Sequence, residues 1–244
     1  MRALKIIFGI AAVVFLLLPI VAILPLAFTD SVFLNYPIPG VSLRWFDQLA
    51  SGAWQRSIIN SLIIGGGATL VSVVLGTLAA LGLAGSALPL AGLFRTVFLL
   101  PMVVPAVVLG VGLQISLARI GLSSTYLGVI VSHSVLCIPF VIVSVSTALA
   151  GIDRTSLRAA ASLGANPFTV FRRVTMPLAA PGIVSGAVFA FATSLDEVVL
   201  TLFVAGPNQR TLARQMFSSI RENISPAVAA AAVSYTHLRA HETL

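Results

Sequence analysis

An all-α polytopic membrane protein is the fold class this sequence predicts, and three observations carry the prediction. Of 244 residues, 58% are hydrophobic and 9% charged, and the mean hydropathy is +1.07. That balance leaves too few polar side chains to cover a soluble domain. The apolar residues also fall in blocks long enough to cross a hydrocarbon core, which takes about 20 helical residues. The short alternating strands of a membrane β-barrel are missing.

The formal net charge of +7 would suggest nucleic acid in a soluble chain. Here the arginines fall mostly in the gaps between apolar blocks, so loop topology and lipid headgroups account for them and no nucleic-acid partner is expected. Cys137 is the only cysteine and lies inside an apolar block, so no intrachain disulfide can form. Lys5 is the only lysine, and no Gly-x-x-x-x-Gly-Lys-Ser/Thr occurs. A P-loop needs that lysine on the β/γ-phosphates. The chain is therefore not itself a P-loop ATPase, and any driving ATP binds a partner.

The first block, Ile6–Phe28, follows Arg2 and Lys5. Its apolar core is longer than a signal-peptide h-region and Leu26-Ala27-Phe28 is a poor cleavage site, which predicts an uncleaved helix with a cytoplasmic N-terminus. Residues Asp30–Arg56 then read as an external loop with turn-forming Pro37, Pro39 and Gly40, and with Trp45 and Trp54 at the interface. Further spans are predicted at Ser57–Leu83, Phe94–Ala118, Tyr126–Ala150 and Pro181–Ala205, and a sixth opens at Ser225. The second span is rich in small residues (Gly65, Gly66, Gly67, Gly76, Ala79, Ala80), which suits close helix packing in lipid. Pro101 and Pro105 in the third span and Pro139 in the fourth predict kinks or breaks. His133 and Gln114 read as hydrogen-bonded packing residues within their spans rather than pathway residues.

The chain closes on a segment of different character. Ala229–Ala232 continue the sixth helix, but lipid-spanning character stops one or two turns in. His237 and His241 share a helix face by their spacing of four, yet no acidic or sulfur cluster accompanies them, so no metal site is expected. Val233–Thr243 resembles a translated sequencing adapter. Residues 1–232 are accordingly expected to form a single transmembrane domain with five complete helices and a truncated sixth, and 233–244 a non-native tail.

Between the fourth and fifth spans lies a segment unlike its flanks, "RAAASLGANPFTVFRRVTMPLAAPGI", Arg158–Ile183. Asp153 or Thr155 can cap a short helix running to Leu163, and Gly164 is placed to end it in a left-handed turn. Asn166-Pro167 supplies a cap and first-turn proline for a second short helix to about Val174. Met176-Pro177 is expected to stop that helix, and Pro181-Gly182 to start the next span. The apolar residues Leu157, Leu163, Phe168, Val170 and Phe171 are too few to span. A groove-docking helix and an amphipathic loop on headgroups both satisfy this pattern.

Resemblance separates the two. Ala159, Ala160, Leu163, Gly164 and Ala165, then Phe171, Val174, Pro177 and Pro181-Gly182-Ile183, resemble the "EAA" loop of ABC importer permeases. The resemblance implies a type I ABC importer permease fold with six transmembrane helices in the bacterial inner membrane. It further implies that the cytoplasmic loop at about 151–178 docks on a separate ABC ATPase dimer, which binds ATP and Mg. A second permease subunit, forming a heterodimer, and a periplasmic or extracellular solute-binding protein complete the implied machine. The coupling residues implied are Arg158, Ala159, Ala160, Leu163, Gly164, Ala165, Phe168, Phe171 and Pro177. Arg158 stands where that pattern has a glutamate, so a salt bridge from that glutamate cannot form in this chain.

Of seven acidic residues, only Asp196 and Glu197 fall inside a spanning block. Charge at membrane depth is costly and faces either a pathway or a partner helix. On a continuous helix, Glu197 shares a face with Thr193 and Thr201, with Asp196 about 100° away. The pair would lie about 22–24 Å along the helix from Pro181. The stretch "SLDEVVLTLFVAGP", Ser194–Pro207, resembles the spermidine/putrescine-type branch of these permeases, which implies a polyamine cargo and a pathway through Thr193, Asp196, Glu197 and Thr201. Iron, phosphonate, opine and sulfate carriers share the scaffold and remain open as cargo types. A membrane enzyme built on Asp196, Glu197 and His133 lacks any catalytic set at a plausible spacing. An ion-coupled carrier predicts inverted repeats, which are not seen.

Overall fold

The computed structural model describes residues 1–50, 52–85, 89–222 and 225–242. In chain order the helices are α1 (Arg2–Ile23), α2 (Arg44–Leu49), α3 (Gly52–Ala84), α4 (Ala91–Leu99), α5 (Ala106–Arg119) and α6 (Tyr126–Ala150). They continue with α7 (Arg154–Ser162), α8 (Pro167–Val170), α9 (Met176–Asp196), α10 (Val199–Val204), α11 (Leu212–Glu222) and α12 (Pro226–Glu242). Single helices over Leu4–Phe28, Gly52–Ala84, Tyr126–Ala150 and Pro167–Asp196 are long and apolar enough to cross a bilayer. The pair Ala91–Met102 and Ala106–Arg119 qualifies as a fifth span bent by 100°.

Contacts group the chain into two compact units, residues 1–58 with 215–244, and residues 59–214. In the first unit, α1 has no buried residue in its most apolar stretch. Phe8 and Phe15 are each about three-quarters exposed. A helix apolar on every side is stable only against lipid or a partner. A 3₁₀ turn over Leu24–Phe28 ends it. Trp45 is buried and donates through Nε1 to Thr29 O at 2.8 Å, with Arg44 over its ring and paired to Asp30 at 3.5 Å. Trp54 is buried as well. Trp45, on the short helix α2, is thus tied to the loop by its indole hydrogen bond. Within this unit α12 packs on α2 and on the 3₁₀ turn through buried Ala227, Ala229, Ala230 and Ala231. The sixth helix starts with Pro226 at its first position, one residue after the expected Ser225, as an N1 proline favours. Thr243 and the side chains of His237, Arg239, His241 and Glu242 lie outside the described residues.

The second unit is organised on α6 and α9, which pack along most of their lengths. Cys137, Val141 and Val145 of α6, Ala190 of α9 and Ala80 of α3 form one fully buried cluster. Small residues set the approach. A Cβ at Gly76 would lie 2.7 Å from Val141 Cβ, and one at Gly182 would lie 2.8 Å from Ser144 O. The expected small-residue seam is therefore real, and it faces α6 as well as α9. Polar side chains join the same helices: Ser72 Oγ donates to Ser134 O at 3.3 Å and Cys137 Sγ to Ala190 O at 3.2 Å. A second cluster holds Ile64, Leu117, Val129, Val204 and Ala205.

The break expected in the third block is present: the block is two helices, because Pro101 and Pro105 withhold N–H groups at one spot. Two other expectations for the spans need correction. Pro139, by contrast, sits fully buried inside an unbroken α6. Met176-Pro177 does not stop the helix begun at Pro167. A π-helical segment over Phe171–Thr175 joins α8 to α9, and its wider turn absorbs the hydrogen bond that Pro177 cannot donate.

Gly182→Val places branched carbons against a backbone carbonyl and destabilises the α6–α9 pair by about 1–3 kcal/mol. Gly66→Ala, with nothing within 4 Å of its Cβ position in the interior of α3, raises stability by about 0.5–1 kcal/mol. Thermal unfolding of the detergent-solubilised protein measures both.

Candidate coupling loop and translocation site

The elbow between α6 and α9 is built from caps. Asp153 accepts from Thr155 N at 2.9 Å and from the Thr155 hydroxyl, which fixes the start of α7. Those bonds to the ionised form hold the Asp153 carboxyl below its usual range. At the other end Gly164 has φ +84°. Gly164 N donates to Ala161 O at 2.9 Å and Ala165 N to Ala160 O at 3.2 Å, the paired bonds of a Schellman turn. Asn166 Oδ1 then accepts from Thr169 N at 2.8 Å, with Pro167 at the first position of α8. The sequence predicted each of these caps. Leu163 and Phe168 are 88% and 68% exposed, so two large apolar side chains flank the turn without partners in this chain. Arg158, Arg172 and Arg173 are exposed, Ala159 and Pro177 are exposed, and Ala160, Ala165 and Phe171 are half-buried. A cavity of about 570 Å³ opens beside the elbow, lined by Leu157 and Thr175 together with Arg95, Ser146 and Leu149.

The acidic pair sits at a break. Helix α9 ends at Asp196, Glu197 takes an extended conformation (φ −75°, ψ 114°), and α10 begins at Val199. Thr193, Glu197 and Thr201 therefore do not share one continuous helix face, which corrects the expectation. No glycine or proline marks the spot, so the break was not legible as a breaker signal. Local hydrogen bonds sustain it instead. Glu197 Oε1 accepts from Leu200 N at 2.9 Å, covering a free donor in the first turn of α10. Thr201 Oγ1 donates back to Glu197 O at 3.1 Å. Asp196 is exposed, Glu197 and Thr193 are half-buried, and Thr201 is buried.

Two residues from elsewhere in the unit complete the site. His133 of α6 is buried, with Nδ1 2.7 Å from Ser194 Oγ and Nε2 3.1 Å from Thr201 Oγ1. The expected packing role of His133 holds, as does that of Gln114, which bonds Ser123 at 3.1 Å. Arg214 donates through Nη1 to Thr201 O at 3.1 Å and Ala205 O at 2.9 Å, a cation on the carbonyl end of α10. Burial, and then the charge of Arg210, lower the Arg214 pKa from its ordinary value. Asn60 of α3 ties the following loop, donating to Asn208 O and Arg210 O at 2.9 Å each and accepting from Tyr126 OH at 2.7 Å. The sequence reading passed over Asn60, Ser194 and Arg214. Asn60 and Ser194 carry the one available signal, a polar side chain inside an apolar block.

Residues 72–238 match the family described as binding-protein-dependent transport system inner membrane component. The chain belongs to this family. It is 30% identical over 231 residues to the spermidine/putrescine transport system permease protein PotC of Escherichia coli, covering 92% of this chain and 85% of that one. The putrescine transport system permease protein PotI of Escherichia coli is 33% identical, covering 79% and 72%. The molybdenum transport system permease protein ModB of Mycobacterium tuberculosis is 34% identical, covering 86% and 80%. In fold the chain is similar to a bacterial ABC transporter involved in the import of the acidic polysaccharide alginate, with a TM-score of 0.77 over 96% of this chain and 91% of that one at 15% identity. The permease is thus a multi-pass membrane subunit of an ABC importer with the type I permease fold, and ATP hydrolysis belongs to a separate subunit.

Arg214→Ala leaves two buried carbonyls without their charged donor and destabilises the second unit by about 1–3 kcal/mol. Arg214→Lys recovers part of the loss, since a single ammonium can still reach one carbonyl. Chemical unfolding of the purified protein distinguishes the pair.

Proposed function

We propose that the permease moves polyamines inward across the bacterial inner membrane, with Asp196 and Glu197 in the pathway beside Thr193 and Thr201. One observation carries the cargo. The two carboxylates lie at the C-terminal end of α9, where the helix dipole is negative. Broken helices offer such ends to cargo at membrane depth, and this one favours a cation over an anion. The Escherichia coli relatives named for spermidine and putrescine support the same reading. The relative named for molybdenum transport shows that similar identity alone does not fix cargo.

The elbow over 151–178 is proposed to dock on an ATPase dimer that holds ATP and Mg. Exposed Leu163 and Phe168, set apart by the Gly164 turn, fit a groove on that partner. Closure of the ATPases moves the elbow and rocks the helices. A second permease subunit and lipid cover the exposed apolar faces of α1, within a transmembrane domain of residues 1–232. A periplasmic binding protein delivers cargo, as in the alginate transporter solved with its periplasmic protein.

Two experiments on the assembled transporter test this. Asp196→Asn with Glu197→Gln lowers spermidine uptake by about tenfold or more while the ATPase still co-purifies; undiminished uptake makes the pair structural. Gly164→Val forces a β-branched residue into φ +84°, costing about 1–2 kcal/mol locally. It uncouples uptake from ATP hydrolysis without loss of membrane insertion, and normal coupled uptake refutes the docking turn.

A further inference from the structure

We infer that His133 is the positioning residue of the translocation site: its imidazole bridges the two ends of the broken helix and so fixes where Glu197 points. This rests on the pathway reading above. Ser194 lies in the last turn of α9 and Thr201 in the first turns of α10, with the extended Glu197 between them. His133 comes from a third helix, α6, and reaches both hydroxyls at 2.7 and 3.1 Å from a fully buried position.

The donors and acceptors run in one direction. Thr201 has a single hydroxyl proton and gives it to Glu197 O. Its oxygen must therefore accept from His133, which places the imidazole proton on Nε2. Nδ1 is then an acceptor, and Ser194 donates to it. The chain Ser194 to His133 to Thr201 to the Glu197 carbonyl is satisfied at every atom by one tautomer. Glu197 is gripped at two points, since its carboxylate accepts from Leu200 N while its carbonyl ends the histidine chain. A buried network satisfied throughout specifies one geometry. Removing its middle member frees α10 to rotate relative to α9 and moves the carboxylate with it.

The test compares His133→Phe, which keeps a buried ring and loses both bonds, with His133→Gln, whose amide offers one acceptor and one donor on neighbouring atoms. Hydrogen exchange on the assembled transporter reads the clamp directly and without cargo. Amides of residues 198–202 exchange about tenfold faster in His133→Phe, the loss of a buried hydrogen bond, and at the native rate in His133→Gln. Spermidine uptake reads the consequence: KM rises about tenfold in His133→Phe with little change in the maximal rate, and the glutamine variant restores it. Combined with Glu197→Gln, His133→Phe adds nothing further to KM, because both act through one carboxylate. Native exchange over 198–202 in His133→Phe overturns the clamp. Faster exchange with unchanged KM overturns the positioning role. If Asp196→Asn with Glu197→Gln leaves uptake intact, the pathway reading fails by itself, and the exchange result still decides whether His133 holds the break. Should His133→Phe fail to assemble, Ser194→Ala and Thr201→Val each remove one side of the bridge and carry the same exchange readout.

Discussion

Backbone polar groups freed within a membrane protein must find partners in the protein, since hydrocarbon supplies none. At the break between α9 and α10 this constraint sets the local design. Ending one helix at Asp196 and starting another at Val199 exposes carbonyls on one side and N–H groups on the other. Glu197 answers the donors with its carboxylate, and Arg214 answers the acceptors at the far end of α10. His133 and Thr201 complete the set from within the core. Glu197, His133 and Thr201 are thus joined by hydrogen bonds around the break, while Arg214 bonds the carbonyl end of α10 and keeps a buried Nε without a partner.

Close packing supplies the rigid frame for that site. The helices cannot be drawn together by hydrophobic transfer in lipid, so contact geometry decides the association. Gly76, Gly182 and Gly186 bring α3 and α9 against the Val141–Ser144 region of α6. That proximity is what allows His133, on α6, to reach Ser194 on α9 at 2.7 Å. A larger residue in the seam would lengthen the bridge as well as weaken the packing.

Legibility followed the range of the physics. The elbow was readable because its caps are local: Asp153, Gly164 and Asn166-Pro167 each act within a few residues of where they stand. The spans were readable because length and hydropathy suffice for them. The break at Glu197 was hidden because the local hydrogen bonds that sustain it carry no breaker residue, and its remaining support comes from a distant helix. Nothing in "SLDEVVLTL" is a breaker residue, and the side chain that bridges the break comes from residue 133. Continuity across Met176-Pro177 was hidden for a related reason, since a π segment can absorb a proline that would end an ordinary α-helix.

The continuity across Pro177 bears on how the proposed motor would act. Residues Pro167–Asp196 form one helical span of 30 residues, about 45 Å at 1.5 Å per residue. It begins three residues after the Gly164 turn and ends at the acidic pair. Had Met176-Pro177 ended the first helix, a hinge would separate the elbow from the span, and movement of the elbow would dissipate there. As built, α8 and α9 are joined through the π segment over Phe171–Thr175, so displacement at the elbow is carried along the helix axis. The other end is bonded to His133 on α6, a helix that the glycine seam holds close against α9. Under the proposed coupling, motion arriving along α9 meets Glu197, where the backbone is extended and a few hydrogen bonds hold the geometry. The elbow and the break stand at the two ends of one helical span, and the proposed pathway residues sit at the end where side-chain hydrogen bonds hold an extended backbone.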